Sequence, residues 1–172
     1  MFTTTNVLNA ECHPQPRLSA LLACGDNFMP STWHMPVSKT PFRYAVAIRD
    51  ENKTYDLVHQ LKEFSLNFMD FSYVKSMEIS GAMHGGEKFQ ATGLTPKKAT
   101  YIQSTLIEEA YMIYECKLIE VANFGDHDLF IADVLCIHNK KIENISPTLF
   151  LGRGYYETTS KNPKRIERAL DE

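Results

Sequence analysis

The clearest pattern in the chain is an alternation of side chains in residues 42–48. Large apolar side chains occupy every second position from Phe42 to Ile48, and arginine or alanine occupies the positions between them. A period of two predicts a β-strand with one buried face. Pro41 stands directly before this run, which suits a strand start because proline cannot donate within a hydrogen-bonded ladder.

Other apolar runs predict further strands. Residues 17–24 end at Gly25-Asp26, a pair typical of a tight hairpin turn, and residues 64–69 form a short candidate strand. Residues 111–121 and 129–138 are long apolar runs on either side of a Gly-Asp turn. We expect these two runs to form the best hairpin in the chain.

Helical patterns are fewer. Apolar residues from Leu57 to Phe64 recur at helical spacing, and Thr54 stands where an N-cap is expected. Residues 71–79 predict a weaker helix. Asn162 and Pro163 resemble a cap followed by a first-turn proline, which predicts a short amphipathic helix near the C-terminus.

Together these elements predict a mainly β fold with two or three helices. Strands do not alternate regularly with helices, so an antiparallel β-barrel with attached helices fits better than a doubly wound parallel sheet. The chain has 172 residues, enough for one sizeable core, and contains no repeat or linker. We therefore expect a single domain over residues 1–172.

The net charge of the chain and the composition of its N-terminal residues restrict the kinds of partner that the protein can bind. The net charge of −3 offers no basic surface for nucleic acid. Residues 1–12 lack the apolar core of a signal peptide, and residues 129–137 are too short to span a bilayer and include Asp133. We expect a cytoplasmic protein with no nucleic-acid or membrane partner.

The four cysteines and six histidines form no recognisable metal-binding pattern. No cysteine pair has zinc-ribbon or thioredoxin spacing, and no HExxH sequence occurs. The sequence therefore predicts no metal site. Cys116 and Cys136 fall in strand-like runs and are interpreted as small, buried, reduced side chains.

Residues 27–38 combine the chain's single tryptophan, Trp33, with an amide, hydroxyl groups and two prolines. A flat aromatic ring beside several hydrogen-bonding groups could hold a planar polar ligand. The alternative is a loop packed on the core.

Residues 48–55 connect an apolar strand to the start of a helix. Backbone N–H groups at a helix N-terminus attract anions, and Lys53 and Thr54 add a charge and a hydroxyl, so a phosphate would fit. The alternative is a capped helix with a solvated charged loop.

Two further stretches are candidates for chemistry. Residues 80–89 hold three glycines followed by Lys88, which could pair with an anion or lie in a surface loop. His127 at the tip of the predicted hairpin could contact a ring, with Asp126 or Asp128 orienting it, or could simply be exposed. No catalytic triad or carboxylate pair is present, so an enzyme of this sequence would use a cofactor.

These stretches occur together and in order in a known family. The chain resembles the flavin reductase-like FMN-binding proteins, which include the flavoredoxins. The resemblance covers residues 17–156 and rests on NFMPSTWHMPVS (27–38), PFRYAVAIRDENKTYDLV (41–58), EFSLNF (63–68), the SG and KF pairs at 80–81 and 88–89, TGLTP (92–96), LIEEAYMIYECKLIEV (106–121) and GDHDLFIADVL (125–135). It implies a split β-barrel of Greek-key type with a core at 17–156, and the C-terminal helical pattern adds a helical tail at 157–172. It also implies a homodimer with non-covalently bound FMN.

The resemblance also implies which residues bind the cofactor. Residues from the first segment would lie along the flavin and its ribityl chain, Thr54 and Lys53 would hold the phosphate, and Lys88 would add a basic contact. Trp33 and His127 would flank the ring system, Asn67 would add a polar contact from the end of the central strand, and either Tyr155 or Tyr156 would close the site. The full cofactor-binding set is Asn27, Met29, Ser31, Thr32, Trp33, Lys53, Thr54, Asn67, Lys88 and His127.

One departure from the commoner family pattern concerns Pro30, which stands where many members have threonine. Proline removes a backbone donor and resembles the flavoredoxin branch. The implied function is an NAD(P)H-dependent flavin reductase that transfers hydride to bound FMN. The alternatives are an electron carrier that serves protein partners without using NAD(P)H, and a cofactor-free binding or structural barrel.

Overall fold

The computed structural model describes residue 6, residues 14–83 and residues 87–159. The strands in these residues are Arg17–Leu18 (β1), Ala20–Cys24 (β2), Asn27–Ser31 (β3), His34–Lys39 (β4), Phe42–Ile48 (β5), Glu63–Phe68 (β6), Pro96–Lys97 (β7), Leu106–Ile107 (β8), Met112–Asn123 (β9), Asp128–Asn139 (β10), Leu149–Gly152 (β11) and Tyr155–Glu157 (β12). The helices are Lys53–Leu61 (α1), Val74–Ala82 (α2) and Lys88–Thr92 (α3), with a 3-10 turn at Phe71–Tyr73 before α2.

The main sheet has seven strands in the order β3-β2-β6-β9-β10-β5-β4, and all its pairings are antiparallel. Both predicted hairpins are present. Gly25 takes a positive φ of 60° in the turn between β2 and β3. The long β9–β10 hairpin turns at residues 124–127, as the sequence predicts.

The connection between β3 and β4 requires this sheet to curl. The two strands are at opposite ends of the strand order, which in a flat sheet would place them about 29 Å apart. Only Thr32 and Trp33 join them, and the chain from Ser31 to His34 can span at most about 11 Å. The sheet therefore closes into a barrel that is split between β3 and β4, since the described pairings join β3 to β2 and β4 to β5.

Side-chain alternation divides the core into two clusters. On β2, Leu22 and its even-numbered neighbours pack inside the barrel, whereas Leu21 and Ala23 pack on the outer face with α2. Phe64 and Phe130 are fully buried in the inner cluster. The even positions of β5 belong to this inner cluster or pack against it, as their alternation predicts.

Several local predictions are corrected. Helix α1 begins at Lys53 with Asn52 as its N-cap residue, so Thr54 lies inside the first turn and is not the cap. The second predicted helix is α2, which extends beyond residue 79 to Ala82. Strands β4, β11 and β12 and helix α3 had no counterpart in the sequence patterns, since Pro36 interrupts β4 and the others are short. The helix predicted at Pro163 lies outside the described residues.

The predicted burial of cysteine is confirmed at one position and wrong at another. Cys116 is fully buried in the barrel, whereas Cys136 on β10 is only partly buried. No helix among the described residues is long and apolar enough to cross a membrane.

Candidate functional site

A cavity of about 550 Å³ lies at the split of the barrel. It is bounded by the β3–β4 connection, the end of β5, helix α2, the β9–β10 turn and the β11–β12 hairpin. Its lining residues, in chain order, are Met29, Pro30, Ser31, Thr32, Trp33, Ala47, Ile48, Arg49, Asn52, Glu78, Gly81, Ala82, His127, Phe150, Arg153, Gly154 and Tyr156. This volume lies within the range typical of small-molecule and cofactor sites.

Trp33 and His127 form an aromatic wall of the cavity. Their ring centroids are 4.4 Å apart with 19° between the planes, and His127 Nδ1 lies 2.8 Å from Asp126 Oδ1. This hydrogen bond lowers the pKa of the Asp126 carboxyl. Because the two rings stack on each other, no third ring fits between them. In this arrangement Trp33 and His127 form a single composite wall.

The guanidinium of Arg17 extends this aromatic wall. The Arg17 guanidinium lies 5.7 Å from the Trp33 ring centroid and 5.6 Å from that of Phe150, within the range of cation–π attraction. Arg17 thereby links the β3–β4 connection to the β11–β12 hairpin. Its pKa is lowered by burial, although the group remains charged at neutral pH.

The start of helix α1 gives the cavity a basic end. Arg49 and Asn52 both line it, and the Asn52 side chain does not cap the helix but donates from Nδ2 to the Arg49 carbonyl at 3.3 Å. The backbone N–H groups of the first turn therefore have no side-chain cap. Arg49 also approaches Glu51 at 3.4 Å in an exposed ion pair. Uncapped N–H groups beside a guanidinium form a site suited to an anion.

An acidic residue and a phenol lie elsewhere in the cavity. Glu78 comes from α2 and Tyr156 from β12, and burial together with a hydrogen bond to Glu78 raises the pKa of the Tyr156 hydroxyl. Tyr155, its neighbour, is 73% exposed and does not line the cavity. Of the two tyrosines predicted to close the site, the structure brings only Tyr156 to it.

Helix α2 approaches strand β3 closely at this site. A Cβ added at Gly81 would lie 3.2 Å from Cγ of Pro30, which is tighter than most such contacts. Glycine at this position therefore lets the helix pack on the proline ring. Pro30 lies on an edge strand of the sheet, where a missing N–H is tolerated.

The predicted cofactor-binding residues separate into two groups. Those that line the cavity are Met29, Ser31, Thr32, Trp33 and His127. Those that do not are Asn27, Lys53, Thr54, Asn67 and Lys88.

Asn27 and Thr54 form a buried pair behind this site. Asn27 Nδ2 donates to Thr54 Oγ1 at 2.9 Å, and both residues are at most 4% exposed. The Asn27 Oδ1 atom is buried and has no hydrogen-bond partner among the described residues. An unsatisfied buried acceptor costs free energy, so a donor from a ligand would stabilise this position.

Lys88 is buried at the start of α3. Its ammonium donates to the Phe28 carbonyl at 2.6 Å and lies 5.8 Å from the Phe28 ring centroid. Burial lowers the pKa of this lysine. Within the described residues the Phe28 carbonyl accepts from one of its three N–H donors, so Lys88 retains capacity for another polar contact.

Two further predicted residues lie away from the cavity lining. Asn67 is wholly buried and bonded within the protein: its Nδ2 donates to the Leu21 carbonyl and to Ser65, and its Oδ1 accepts from the Ile107 N–H. It therefore links β6 to β2 and β8. Lys53 is exposed at the start of α1 and lies outside the cavity lining.

Several residues that line the cavity were not among the predicted cofactor contacts. Arg49 and Asn52 had a usable signal, because they occupy the short link between a strand and a helix. Glu78 and Arg153 had none. They reach the site only because α2 and the β11–β12 hairpin fold against the split of the barrel.

Comparisons with known proteins show the family of this chain. Residues 15–159 match the family model of the flavin reductase like domain. An uncharacterized protein of Aeropyrum pernix is 31% identical over 137 residues, which cover 73% of this chain and 52% of that protein, so the chain spans about half of its length.

Solved structures share the fold. The FMN-binding protein of Thermus thermophilus, solved with bound p-hydroxybenzaldehyde, has a TM-score of 0.84 at 23% identity and covers 96% of this chain and 99% of its own. Flavoredoxin of Desulfovibrio vulgaris has a TM-score of 0.82 at 21% identity and covers 98% of both chains. The predicted fold, a split β-barrel, is thereby confirmed.

Proposed function

Because the chain belongs to the flavin reductase-like family, we propose that it binds FMN without a covalent bond and acts as an NAD(P)H-dependent flavin reductase. The observation that carries this proposal is the cavity at the barrel split. There an aromatic wall borders the same space of about 550 Å³ as Arg49 and Asn52, which lead into the start of α1, where no side chain caps the helix. A planar ring needs the first feature and a phosphate needs the second.

The residues present fit this cofactor. Arg49 and the first N–H groups of α1 match a phosphate, and the Trp33–His127 wall matches an aromatic ring. Ser31 and Thr32 supply hydroxyls for polar groups between these ends. The unpartnered Oδ1 of Asn27 matches a hydrogen-bond donor, although this residue lies behind the cavity lining.

The protein's share of the proposed reaction is placement and electrostatics. FMN, when bound, supplies a centre that accepts hydride from a reduced nicotinamide and passes electrons onward. Asp126 fixes the orientation of the His127 ring through a hydrogen bond at 2.8 Å. Lys88, Thr54 and Asn27 support the lining strands from behind, where we propose that they favour the anionic cofactor. No side chain is required as a proton donor or acceptor for hydride transfer.

The free thiols support the proposed location. Cys24, Cys116 and Cys136 are all unpaired, and the first two are buried. Proteins in oxidising compartments tend to use cysteine in disulfides, whereas cytosolic proteins keep it reduced. We accordingly propose a cytoplasmic protein.

The decisive experiment is a visible spectrum followed by anaerobic titration. The purified protein, or the protein after addition of FMN, should show bound flavin absorption, and heating should release FMN rather than FAD or riboflavin. NADH or NADPH should then bleach the flavin rapidly, and comparison of the two gives the nucleotide preference.

Other outcomes distinguish the alternatives. Bound FMN that neither nucleotide reduces, but that a reduced electron-transfer protein does, would replace the reductase by an electron carrier. A protein that takes up no added FMN would overturn the whole proposal and leave a cofactor-free barrel.

A further inference from the structure

The structure assigns a second site to this protein, which we propose binds Zn²⁺ through Glu115, Cys136 and His138 on the outer face of the β9–β10 hairpin. One ligand atom from each residue lies within 4.8 Å of the others. None of the three lines the cavity at the barrel split. The site is therefore independent of the proposed flavin chemistry.

A β-bulge creates this arrangement. Val134 pairs with Cys116, but Leu135 is skipped in the register and Cys136 pairs directly with Glu115. The extra residue turns Cys136 and, two positions further on, His138 toward the face that carries Glu115. Without the bulge, Leu135 would stand opposite Glu115 and neither ligand would face the carboxylate.

The three groups converge on one point, as metal ligands do. His138 Nε2 lies 2.6 Å from Glu115 Oε1 and 3.7 Å from Cys136 Sγ. A catalytic relay would use the two different ring nitrogens of the histidine, whereas here both neighbours approach the same nitrogen. Tetrahedral zinc ligands lie about 3.5 Å from one another, so an opening of the His138–Glu115 contact by about 1 Å would admit the ion.

The carboxylate is already held in place by the surrounding backbone. Glu115 is fully buried and accepts hydrogen bonds from the N–H groups of Thr100, Tyr101 and Ile102. These hydrogen bonds hold the Glu115 carboxylate in one orientation, as hydrogen bonds to metal-coordinating side chains do at metal sites. A buried carboxylate supported by three backbone donors would keep its position when an ion enters between Glu115 and His138.

The site is open on its other side. Cys136 and His138 are only partly buried, and His138 borders a cavity of about 280 Å³ next to Tyr111 and Lys140. An ion can therefore enter from solvent, and water can complete the fourth position. Sulfur, imidazole and carboxylate ligands favour Zn²⁺ over Mg²⁺ or Ca²⁺, which prefer oxygen alone.

The test is zinc affinity of the full-length protein after treatment with a chelator. Competition against a chromophoric zinc indicator should show one site in the wild type, with affinity at least 100-fold lower in Cys136→Ser and in His138→Gln. His59→Gln is the matched control, because His59 also lies beside a carboxylate, 3.8 Å from Asp128, but does not belong to the cluster of Glu115, Cys136 and His138. It should bind zinc like the wild type. Glu115 is left unchanged because it also supports the backbone of residues 100–102.

Two direct readouts accompany the affinities. Co²⁺ should produce a sulfur-to-metal charge-transfer band that Cys136→Ser lacks. Zn²⁺ should protect Cys136 from iodoacetamide, as measured by peptide mass spectrometry, while the buried Cys24 and Cys116 stay unreactive with or without zinc. Absence of a zinc site in the wild type, equal affinity in Cys136→Ser, or equal alkylation of Cys136 with and without zinc would each overturn the proposal.

Discussion

Arg49 lies in the link between β5 and α1 and Lys53 is the first residue of α1, but only Arg49 borders the cavity. If the phosphate of FMN lies at the start of α1, the Arg49 charge contributes to its binding and the Lys53 charge contributes little. We expect Arg49→Gln to weaken FMN binding about tenfold and riboflavin binding less than twofold, as measured by fluorescence titration.

Lys53→Gln is the matched control, because it removes one positive charge from an exposed position nearby. We expect it to change FMN affinity less than twofold at moderate salt, where exposed charges are screened. A larger loss in Lys53→Gln than in Arg49→Gln would restore the original prediction that Lys53 holds the phosphate.

His34 makes stability depend on pH. It opens β4, its Nδ1 lies 2.9 Å from the Tyr44 hydroxyl, and burial lowers its pKa to about 4 from an ordinary value near 6.5. Between these values the unfolded chain binds a proton that the folded chain does not. The contribution of His34 is therefore fully present above pH 6.5 and is lost as the pH falls toward 4.

We expect this residue to account for about 2–3 kcal/mol of the stability lost between pH 7 and pH 4.5. Urea unfolding of the wild type and of His34→Gln at both pH values measures this share. The carboxyl groups titrate in both proteins, so the difference between the two losses of stability is the contribution of His34. Equal losses in the two proteins would show that His34 does not carry this pH dependence.

At the level of elements, the β9–β10 turn is tied to helix α1. Asp128 accepts hydrogen bonds from Tyr55 at 2.6 Å and from Asn123 at 2.7 Å. These hydrogen bonds hold the neighbouring His127 against Trp33, which lies on the connection between β3 and β4. The aromatic wall thus depends on three elements that are distant in the chain.

We expect the double variant Trp33→Ala, His127→Ala to bind FMN at least tenfold more weakly and to keep its fold. Both side chains are partly exposed at the barrel split, so their loss leaves the inner core intact. Flavin titration measures the first effect, and far-UV circular dichroism with thermal unfolding measures the second. Wild-type affinity in this variant would mean that the ring lies elsewhere.

At the scale of the whole molecule, we propose that two copies associate. Large apolar side chains are exposed on edge strand β4, where Met35 is 54% and Val37 is 41% exposed, and also on β9 and β10, which β5 separates from β4. Exposed apolar surface of this kind marks interaction sites. Association of like chains would cover it and protect an open sheet edge.

We expect a solution mass twice that of the 19.7 kDa chain, about 39 kDa, by light scattering. The double variant Met35→Lys, Val37→Lys should shift the protein toward the monomer. Tyr101→Lys, which alters a 64% exposed residue in a loop, should leave the mass unchanged. A monomeric wild type would contradict the proposed dimer.

Much of the strand plan could be predicted from the sequence. The alternation at 42–48 and the turns at Gly25 and at 124–127 are local signals, since side-chain period and turn residues act within a few positions. Local composition likewise marked Trp33 and His127 as candidates, and the structure brings their rings into contact. A rare aromatic among hydroxyls and a histidine at a turn are visible without knowledge of the fold.

Only the tertiary structure decided which distant residues meet. Closure of the sheet across Thr32 and Trp33 determines the cavity, and it brings Glu78 and Tyr156 together from elements far apart in the chain. The bulge at Leu135 likewise places Cys136 opposite Glu115. The physical reason is that a hydrophobic pattern specifies which face of a strand is buried, whereas strand order and register specify its neighbours.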